Sequence, residues 1–392
     1  MVKAMKSPAT STSRSTIKAP NIKAAHSAVI EPTIIEGPPK NISFRAPKII
    51  KFGSDFSGID AAATAMSRLF KDNPGKFRNC FTSDLLPEAH KLVACKPGPQ
   101  PDMTFDDVLA RTVEQEVGTD VYVWTPPCQP YSKAGKQKGT EDPRGSVMSA
   151  GVKYIVRHKP RATVFENVKG MASKKFKRVI AGINAALIEN GYEVHWRLLS
   201  ALHFQVPQAR ERLFTFGIRK DSLRHAFNWP KLVMPRIMLS DVLDPFNPKT
   251  DKPGRLPRGE KAKRFVKTAC KDAYTNGTNP MTTPIAIDID CSEKFQTVGV
   301  DVAKTLTRTR GSQGGPWISS RGRRTTTTEL LKIQGFTGED EVPWNEAGIS
   351  KSKLGALLGN AVPVPLIGHV LSEAMYSPGV TVQKVSFPRV RL

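Results

Sequence analysis

The chain has 392 residues and carries 59 Lys and Arg against 35 Asp and Glu, a formal charge of +24. That length allows two domains or one large domain with an inserted lobe, and such a charge excess commonly marks a polyanionic partner, nucleic acid above all. No apolar run approaches the ~20 residues of a membrane span, no secretory h-region opens the chain, and the five cysteines (Cys80, Cys95, Cys128, Cys270, Cys291) form no CxxC pair that would suggest zinc or a redox dithiol.

Residues 1–46 are rich in Ser, Thr, Pro, Ala and Lys, with no acidic residue before Glu31. They read as a disordered basic tail, compatible with a nuclear tail or an organellar transit peptide, and the sparse cysteines point to an intracellular, reducing compartment. From residue 47 the texture changes. Ile49-Ile50-Lys51-Phe52 reads as a strand, 53–58 as a turn and 61–70 as an Ala-rich helix. A strand over 77–82, a helix over 87–94, a strand over 121–124 ending at Pro126-Pro127, and a helix over 147–157 follow. Next come a strand over 162–165 stopped by Glu166-Asn167, a helix over 176–189, and strands over 192–199 and 213–218. Alternation of this kind predicts an α/β domain with a mainly parallel, Rossmann-like sheet over 47–220, whose ligands sit at the carboxyl ends of the strands. Residues 221–324 become rich in Pro, Gly and Lys, helical periodicity fades, and the stretch reads as a smaller, irregular domain. Residues 325–376 return to helical patterns and rejoin the first domain; 377–392 form a C-terminal tail.

Four segments carry polar groups that invite chemistry. In Thr125-Pro126-Pro127-Cys128-Gln129-Pro130 the two prolines stiffen the backbone before a thiol, which suits a nucleophile and equally a buried structural cysteine. Glu166, in Phe165-Glu166-Asn167-Val168, is either an acid partner at the top of the sheet or an exposed strand cap. Arg210 and Arg212, in Pro207-Gln208-Ala209-Arg210-Glu211-Arg212, point the same way on an extended segment, as phosphate or base ligands or as an ordinary surface pair. Gly359-Asn360-Ala361-Val362-Pro363 offers close backbone approach and an amide, or merely a helix end.

Together and in this order, these segments resemble the cytosine-C5 DNA methyltransferase family over residues 48–372. Further matches are Asp55-Phe56-Ser57-Gly58, Ser83-Asp84, Asp102-Met103-Thr104-Phe105, the continuation of the Cys loop through residue 139, and Thr328–Phe336 with its Gln334-Gly335-Phe336. The resemblance implies methyl transfer from S-adenosylmethionine to C5 of cytosine in double-stranded DNA, by a monomer that needs no metal and no membrane. It implies Cys128 as the nucleophile at C6, Glu166 at the N3 edge, and Arg210 and Arg212 holding the Cys loop, the base or its phosphate. It implies Phe56 and Gly58 in the donor pocket, Asp84 on the ribose hydroxyls, Asp102 on the adenine amino group, and Pro127 and Asn360 as further donor contacts. The family loop usually reads Phe-x-Gly-x-Gly-Gly; here Asp60 and Ala61 replace the last two glycines, and Ser54 stands where Asp is usual. Two other readings remain: a tRNA methyltransferase using the same chemistry, although Cys80-Phe81-Thr82 lies on a strand rather than in the recognition region, and a DNA-binding regulator with impaired catalysis.

Two basic stretches fall in the irregular region. One holds Lys249, Lys252, Arg255, Arg258, Lys261, Lys263, Arg264 and Lys267. The other holds Arg308, Arg310, Arg321, Arg323 and Arg324 around Gly311-Ser312-Gln313-Gly314-Gly315, with no acidic residue between Asp301 and Glu329. The arginine-rich stretch is the better candidate DNA reader, since its glycines would admit a duplex closely and its Arg and Gln could read base edges.

Overall fold

The computed structural model describes residues 49–127, 147–340 and 342–377; Cys128 and the N-terminal tail lie outside them. Strands β1 (Ile50–Asp55), β2 (Phe77–Ser83), β3 (Met103–Phe105), β4 (Val121–Trp124), β5 (Ala162–Val168) and β6 (Tyr192–Ser200) are followed by the short β7 (Gln208–Ala209) and by β8 (Glu211–Arg219). All but β7 form one sheet in the order β3-β2-β1-β4-β5-β8-β6. The β2-β3, β1-β2, β1-β4 and β4-β5 pairs are parallel, and β8 runs antiparallel to both its neighbours.

The central strands are apolar on both faces, as a covered parallel sheet requires. Phe52, Val121, Val123 and Val164 pack with α1 (Ala61–Leu69) and with two later helices. Their neighbours Tyr122, Trp124 and Phe165 pack on the other side with α3 (Met148–His158) and α4 (Lys177–Glu189). The helix α2 (Pro87–Cys95) joins the first layer through Ala89 and Leu92. Alternation along each strand thus assigns successive side chains to opposite layers.

The predicted strand over 162–165 does not stop at Glu166-Asn167. Pairing with β8 carries it on, Asn167 opposite Leu213 and Val168 opposite Arg212. Glu166 is therefore a buried strand residue (7% exposed), not an exposed cap.

Residues 221–324 are more regular than the sequence suggests. They include α5 (Glu260–Thr275), β9 (Ile285–Ile287), β10 (Val298–Val300), β11 (Ala303–Lys304), α6 (Arg308–Ser312), β12 (Trp317–Ile318) and β13 (Arg323–Arg324). At 16 residues, α5 corrects the expectation that helical periodicity fades here. Its buried stripe of Phe265, Val266, Ala269 and Ala273 follows helical spacing but is narrow and half alanine, so the surrounding lysines mask it. The stripe covers the four-stranded antiparallel sheet β10-β9-β12-β13 through Ile285, Ile287 and Trp317. β11 pairs in parallel with β7 and so ties this region to the Gln-Ala-Arg segment.

The chain then forms α7 (Thr327–Ile333), α8 (Lys351–Asn360) and α9 (Val364–Tyr376). Thr326 and Glu329 close a capping box at the start of α7, a motif written in the sequence itself. The segment spanned by α8 and α9 is long and apolar enough to cross a membrane (mean hydropathy 1.6), which corrects the reading that no such run exists; 78% of that window is buried in the protein core, against α1 and the sheet.

Candidate active site

Parallel strands bring their carboxyl ends to one edge. Asp55 pairs with Ser83 and with Trp124, Ser83 with Phe105, and Trp124 with Phe165. The next residues of β1, β2, β4 and β5 (Phe56, Asp84, Thr125 and Glu166) therefore share one rim. With strands about 4.8 Å apart, Asp84 and Glu166 stand roughly 14 Å from each other along it.

At the β1 end the backbone makes an unusual turn. Phe56, Gly58 and Asp60 all have positive φ, at 60°, 55° and 53°. Gly58 donates its N–H to Asp84 Oδ2 (2.8 Å), and Leu86 N–H donates to Asp84 Oδ1 (2.9 Å). A carboxylate has about four acceptor sites, so two bonds leave Asp84 able to accept from a diol. Nothing lies within 4 Å of where a side chain on Gly58 would begin, so the turn leaves room beside that carboxylate. Asp55 does not face this turn. It is fully buried on the other face of β1, held by both arms of Arg111 (2.9 Å each) and by the Tyr122 hydroxyl (2.6 Å).

Asp102 is not on this rim. It precedes β3, its N–H bonds to Asn79 O in the middle of β2, and its carboxylate pairs with Arg78 (2.7 Å). The three-residue strand β3, four steps of about 3.3 Å or about 13 Å, separates it from Asp106, which follows β3 where Phe105 O accepts from Asp84 N–H. Asp106 is exposed and 3.4 Å from His90. The sequence match placed the acidic residue before the strand; strand pairing puts Asp106 at the end where ligands bind. Leu85, the residue after Asp84 in the loop between β2 and α2, is apolar and 68% exposed.

The stem of the Cys loop is tied on both sides. Thr125 donates its N–H to Asp55 O (3.2 Å) and its hydroxyl to Phe56 O (2.9 Å). Asn167 donates its side-chain amide to Pro126 O (3.1 Å). Pro127, half-buried, is the last described residue before Cys128. Beside this stem Glu166 Oε1 lies 3.0 Å from Arg212 Nε. Burial pushes the Glu166 carboxyl up, and the charges of Arg212 and Arg210 oppose that shift.

Arg210 and Arg212 differ in role despite their spacing. Arg210 is 1% exposed and donates to Leu306 O (2.7 Å), Gly359 O (3.4 Å) and Ala361 O (2.8 Å). It grips the two carbonyls that flank exposed Asn360, and it cannot reach a phosphate in solvent; the expectation of direct contact with nucleic acid is corrected for this residue. Gly359 does permit a close approach, but to the chain itself: a side chain there would begin 2.3 Å from Thr307.

The arginine-rich stretch is also turned inward. Arg310 pairs with Asp288 (2.6 Å), Arg321 and Arg323 with Asp251 (3.4 and 2.6 Å), Arg323 with Glu329 (2.9 Å), and Arg324 with Asp290 (2.7 Å). Gly311 meets Gly355 where α6 crosses α8, with backbone filling the space a side chain would need. Of the five arginines only Arg308 is exposed. In the other basic stretch Lys249, Lys252, Arg255, Arg258, Lys261, Arg264 and Lys267 are all exposed, so the two stretches exchange rank as candidate phosphate contacts.

Residues 50–375 match the model of the C-5 cytosine-specific DNA methylases. The chain belongs to this family. Methylation of cytosine C5 in DNA is the family's activity, and this chain is a DNA cytosine methyltransferase by that membership. It is 25% identical to the Type II methyltransferase M.DsaV of Dactylococcopsis salina over 88% of this chain and 91% of that one. It is 29% identical to M.AplI of Arthrospira platensis, over 65% and 68%. Two solved structures share the fold: a putative DNA modification methyltransferase from an Escherichia coli prophage (TM-score 0.59, 16% identity, 83% of this chain and 98% of that one) and the S. pombe Dnmt2 methyltransferase (TM-score 0.58, 16%, 83% and 98%).

Proposed function

We propose that this DNA methyltransferase works on a cytosine flipped out of duplex DNA, with Cys128 as the nucleophile and S-adenosylmethionine as the donor. The observation that carries the reading is the buried Glu166–Arg212 pair beside a Pro126 stem pinned by Asn167. Flipping exposes both the C6 face and the N3 edge of the base, which stacking and pairing otherwise hide. The Cys128 thiolate adds to C6 and the C5=C6 electron pair moves into the ring. Glu166, whose burial favours its protonated form, hydrogen-bonds N3 and shares its proton as charge arrives there. Arg212 fixes the orientation of that carboxyl. C5 becomes nucleophilic, and S-adenosylmethionine, when bound, supplies an electrophilic methyl group for it. Loss of the C5 hydrogen as a proton then reforms the double bond and expels the thiolate.

Phe56, Gly58 and Asp84 would hold the donor, with Asp84 on the ribose diol, and with Pro127 and Asn360 completing the wall. Asp106 replaces Asp102 in this reading as the carboxylate for the adenine amino group, and Leu85 offers apolar surface to the ring. Residues 221–324 serve as the target-recognition region, with the exposed cations of the 249–267 stretch and Arg308 on phosphates.

Fluorine at C5 cannot leave as a proton, so the chain should form a stable adduct with 5-fluorocytosine DNA when S-adenosylmethionine is present. On a denaturing gel Cys128→Ser should lose that adduct, while Cys80→Ser, Cys95→Ser, Cys270→Ser and Cys291→Ser keep it. A shifted band from Cys128→Ser would overturn the nucleophile assignment.

A further inference from the structure

Asp60 occupies a position where the resembling family carries glycine, and the backbone shows why glycine suits it: φ is 53° and ψ 54°, in the left-handed region. Asp is among the few residues that tolerate this conformation. Here its carboxylate also caps α1, accepting from Ala63 N–H (3.2 Å), and accepts from the Ser54 hydroxyl (3.2 Å). The side chain is 2% exposed, so its charge needs a partner inside the protein.

Lys96, just beyond α2, reaches that spot. Its ammonium donates to Ile59 O (3.0 Å) and to the Thr64 hydroxyl, which in turn donates to Asp60 O (3.0 Å). It thus holds the Ile59 carbonyl directly and the Asp60 carbonyl through the Thr64 hydroxyl. Lys96 also lies over the Phe336 ring, 5.5 Å from its centroid, next to Gly335, whose carbonyl accepts from Arg68 (3.0 Å). Arg68 itself pairs with Asp340 (2.9 Å). Asp60, Lys96, Arg68 and Asp340 are among the residues that line a cavity of about 390 Å³ that includes neither Asp84 nor Glu166. Burial pushes the Lys96 ammonium down to about 8, against the pull of Asp60 and Asp340, and burial pushes the Asp60 carboxyl up, against the pull of Lys96. The two side chains make no direct ion pair; the Lys96 charge acts on the Asp60 carboxyl through space and opposes the effect of burial on it.

We propose that Asp60 and Lys96 form a charge lock that replaces a glycine, holding the Phe56–Asp60 turn in the shape that receives the methyl donor. Both are positioning residues: they act on the donor through Gly58 and the start of α1. The inference rests on the reading that this turn is the donor pocket.

The test is donor affinity by calorimetry, with melting temperature in parallel, on the wild-type chain, K96M, D60G, K96M/D60G and K96M/D60A. K96M strands a buried carboxylate in the turn and should weaken S-adenosylmethionine binding by about tenfold, within the range of coupling seen between contacting residues. Adding D60G removes the stranded charge and keeps the left-handed turn, so affinity should return to within about threefold of wild type on the same scale. K96M/D60A removes the same charge but alanine resists φ near 53°, so it should not recover. Wild-type affinity in K96M, or equal rescue by alanine and glycine, would overturn the lock. A wild-type chain that binds no donor overturns the donor-pocket reading instead, and the lock is then judged on melting temperatures, where glycine but not alanine should restore what K96M loses.

Discussion

Glu166 and Arg324 are both charged residues drawn out of solvent and paired with an opposite charge, yet they belong to regions that use such pairs differently. Glu166 sits at a strand end where a single carboxyl is buried against Arg212 with the Cys-loop stem beside it. That carboxyl lies at the rim formed by the strand ends, with burial raising its pKa and the Arg212 charge opposing the shift. Arg324 sits in a stretch where nearly every cation is matched by a carboxylate from elsewhere in the chain: Asp244, Asp251, Asp288, Asp290 and Glu329 converge on Arg310, Arg321, Arg323, Arg324 and Lys332. The Arg323–Glu329 pair fastens the four-stranded sheet to α7, and together the pairs leave little charge for an outside partner. A buried ion pair is a working group only where one member still has a free side toward a ligand; otherwise it is a fastening, and breaking it is costly because the remaining charge is stranded.

The contrast can be broken most forcefully at Glu166. Glu166→Gln keeps the shape and a hydrogen bond but loses the proton, so turnover should fall by about 10²–10⁴-fold, the usual worth of a positioned acid. Burial raises the carboxyl's pKa, so wild-type turnover governed by this group should decline as pH rises through that value, and the variant should lose that limb. Methyl incorporation across pH checks both points; turnover within a few fold of wild type would remove Glu166 from the chemistry.

A smaller effect separates Arg210 from Arg212. Arg210→Met leaves the carbonyls of Leu306, Gly359 and Ala361 without their donor, which should cost about 3 kcal/mol of stability while the folded fraction keeps its salt dependence of DNA binding. Denaturant melts with parallel binding curves test this, and a changed salt slope at full folding would return Arg210 to the DNA interface. The smallest effect lies in the arginine stretch. Arg308→Ala should reduce the salt slope by about one unit if it meets a phosphate, whereas Arg324→Ala should leave the slope intact. Equal slopes for the two variants would mean that the ion pair with Asp290 opens to receive DNA.

Much of the main sheet is legible in the sequence because its strands are covered on both faces and its helices are amphipathic. The runs at 77–82, 121–124 and 192–199 have no other plausible reading, and their observed ends fall within one residue of the expected ones. The three-residue β3 is not legible as a strand, since Met103-Thr104-Phe105 is too short for a period to show, so the sequence does not reveal that Asp102 stands before a strand and Asp106 after it. α5 is hidden for a different reason: a stripe half made of alanine carries little hydrophobic contrast against Lys and Arg.

The sequence by itself determined the α/β order, the family, and the short blocks that hold the chemistry, because strand alternation, helix spacing and local motifs are properties of neighbouring residues. Only the tertiary structure decided which charges are spent. The stretch from 308 to 324 contains no acid of its own, but carboxylates 6 to 72 positions away along the chain fold onto it. Electrostatic neighbours are set by distance in space, and a buried charge takes whatever counter-charge the fold brings within reach. The same principle turned Asp60 from an apparent defect in a glycine turn into a helix cap with a cation close by, because Lys96, 36 positions on, comes back to donate to the neighbouring Ile59 carbonyl.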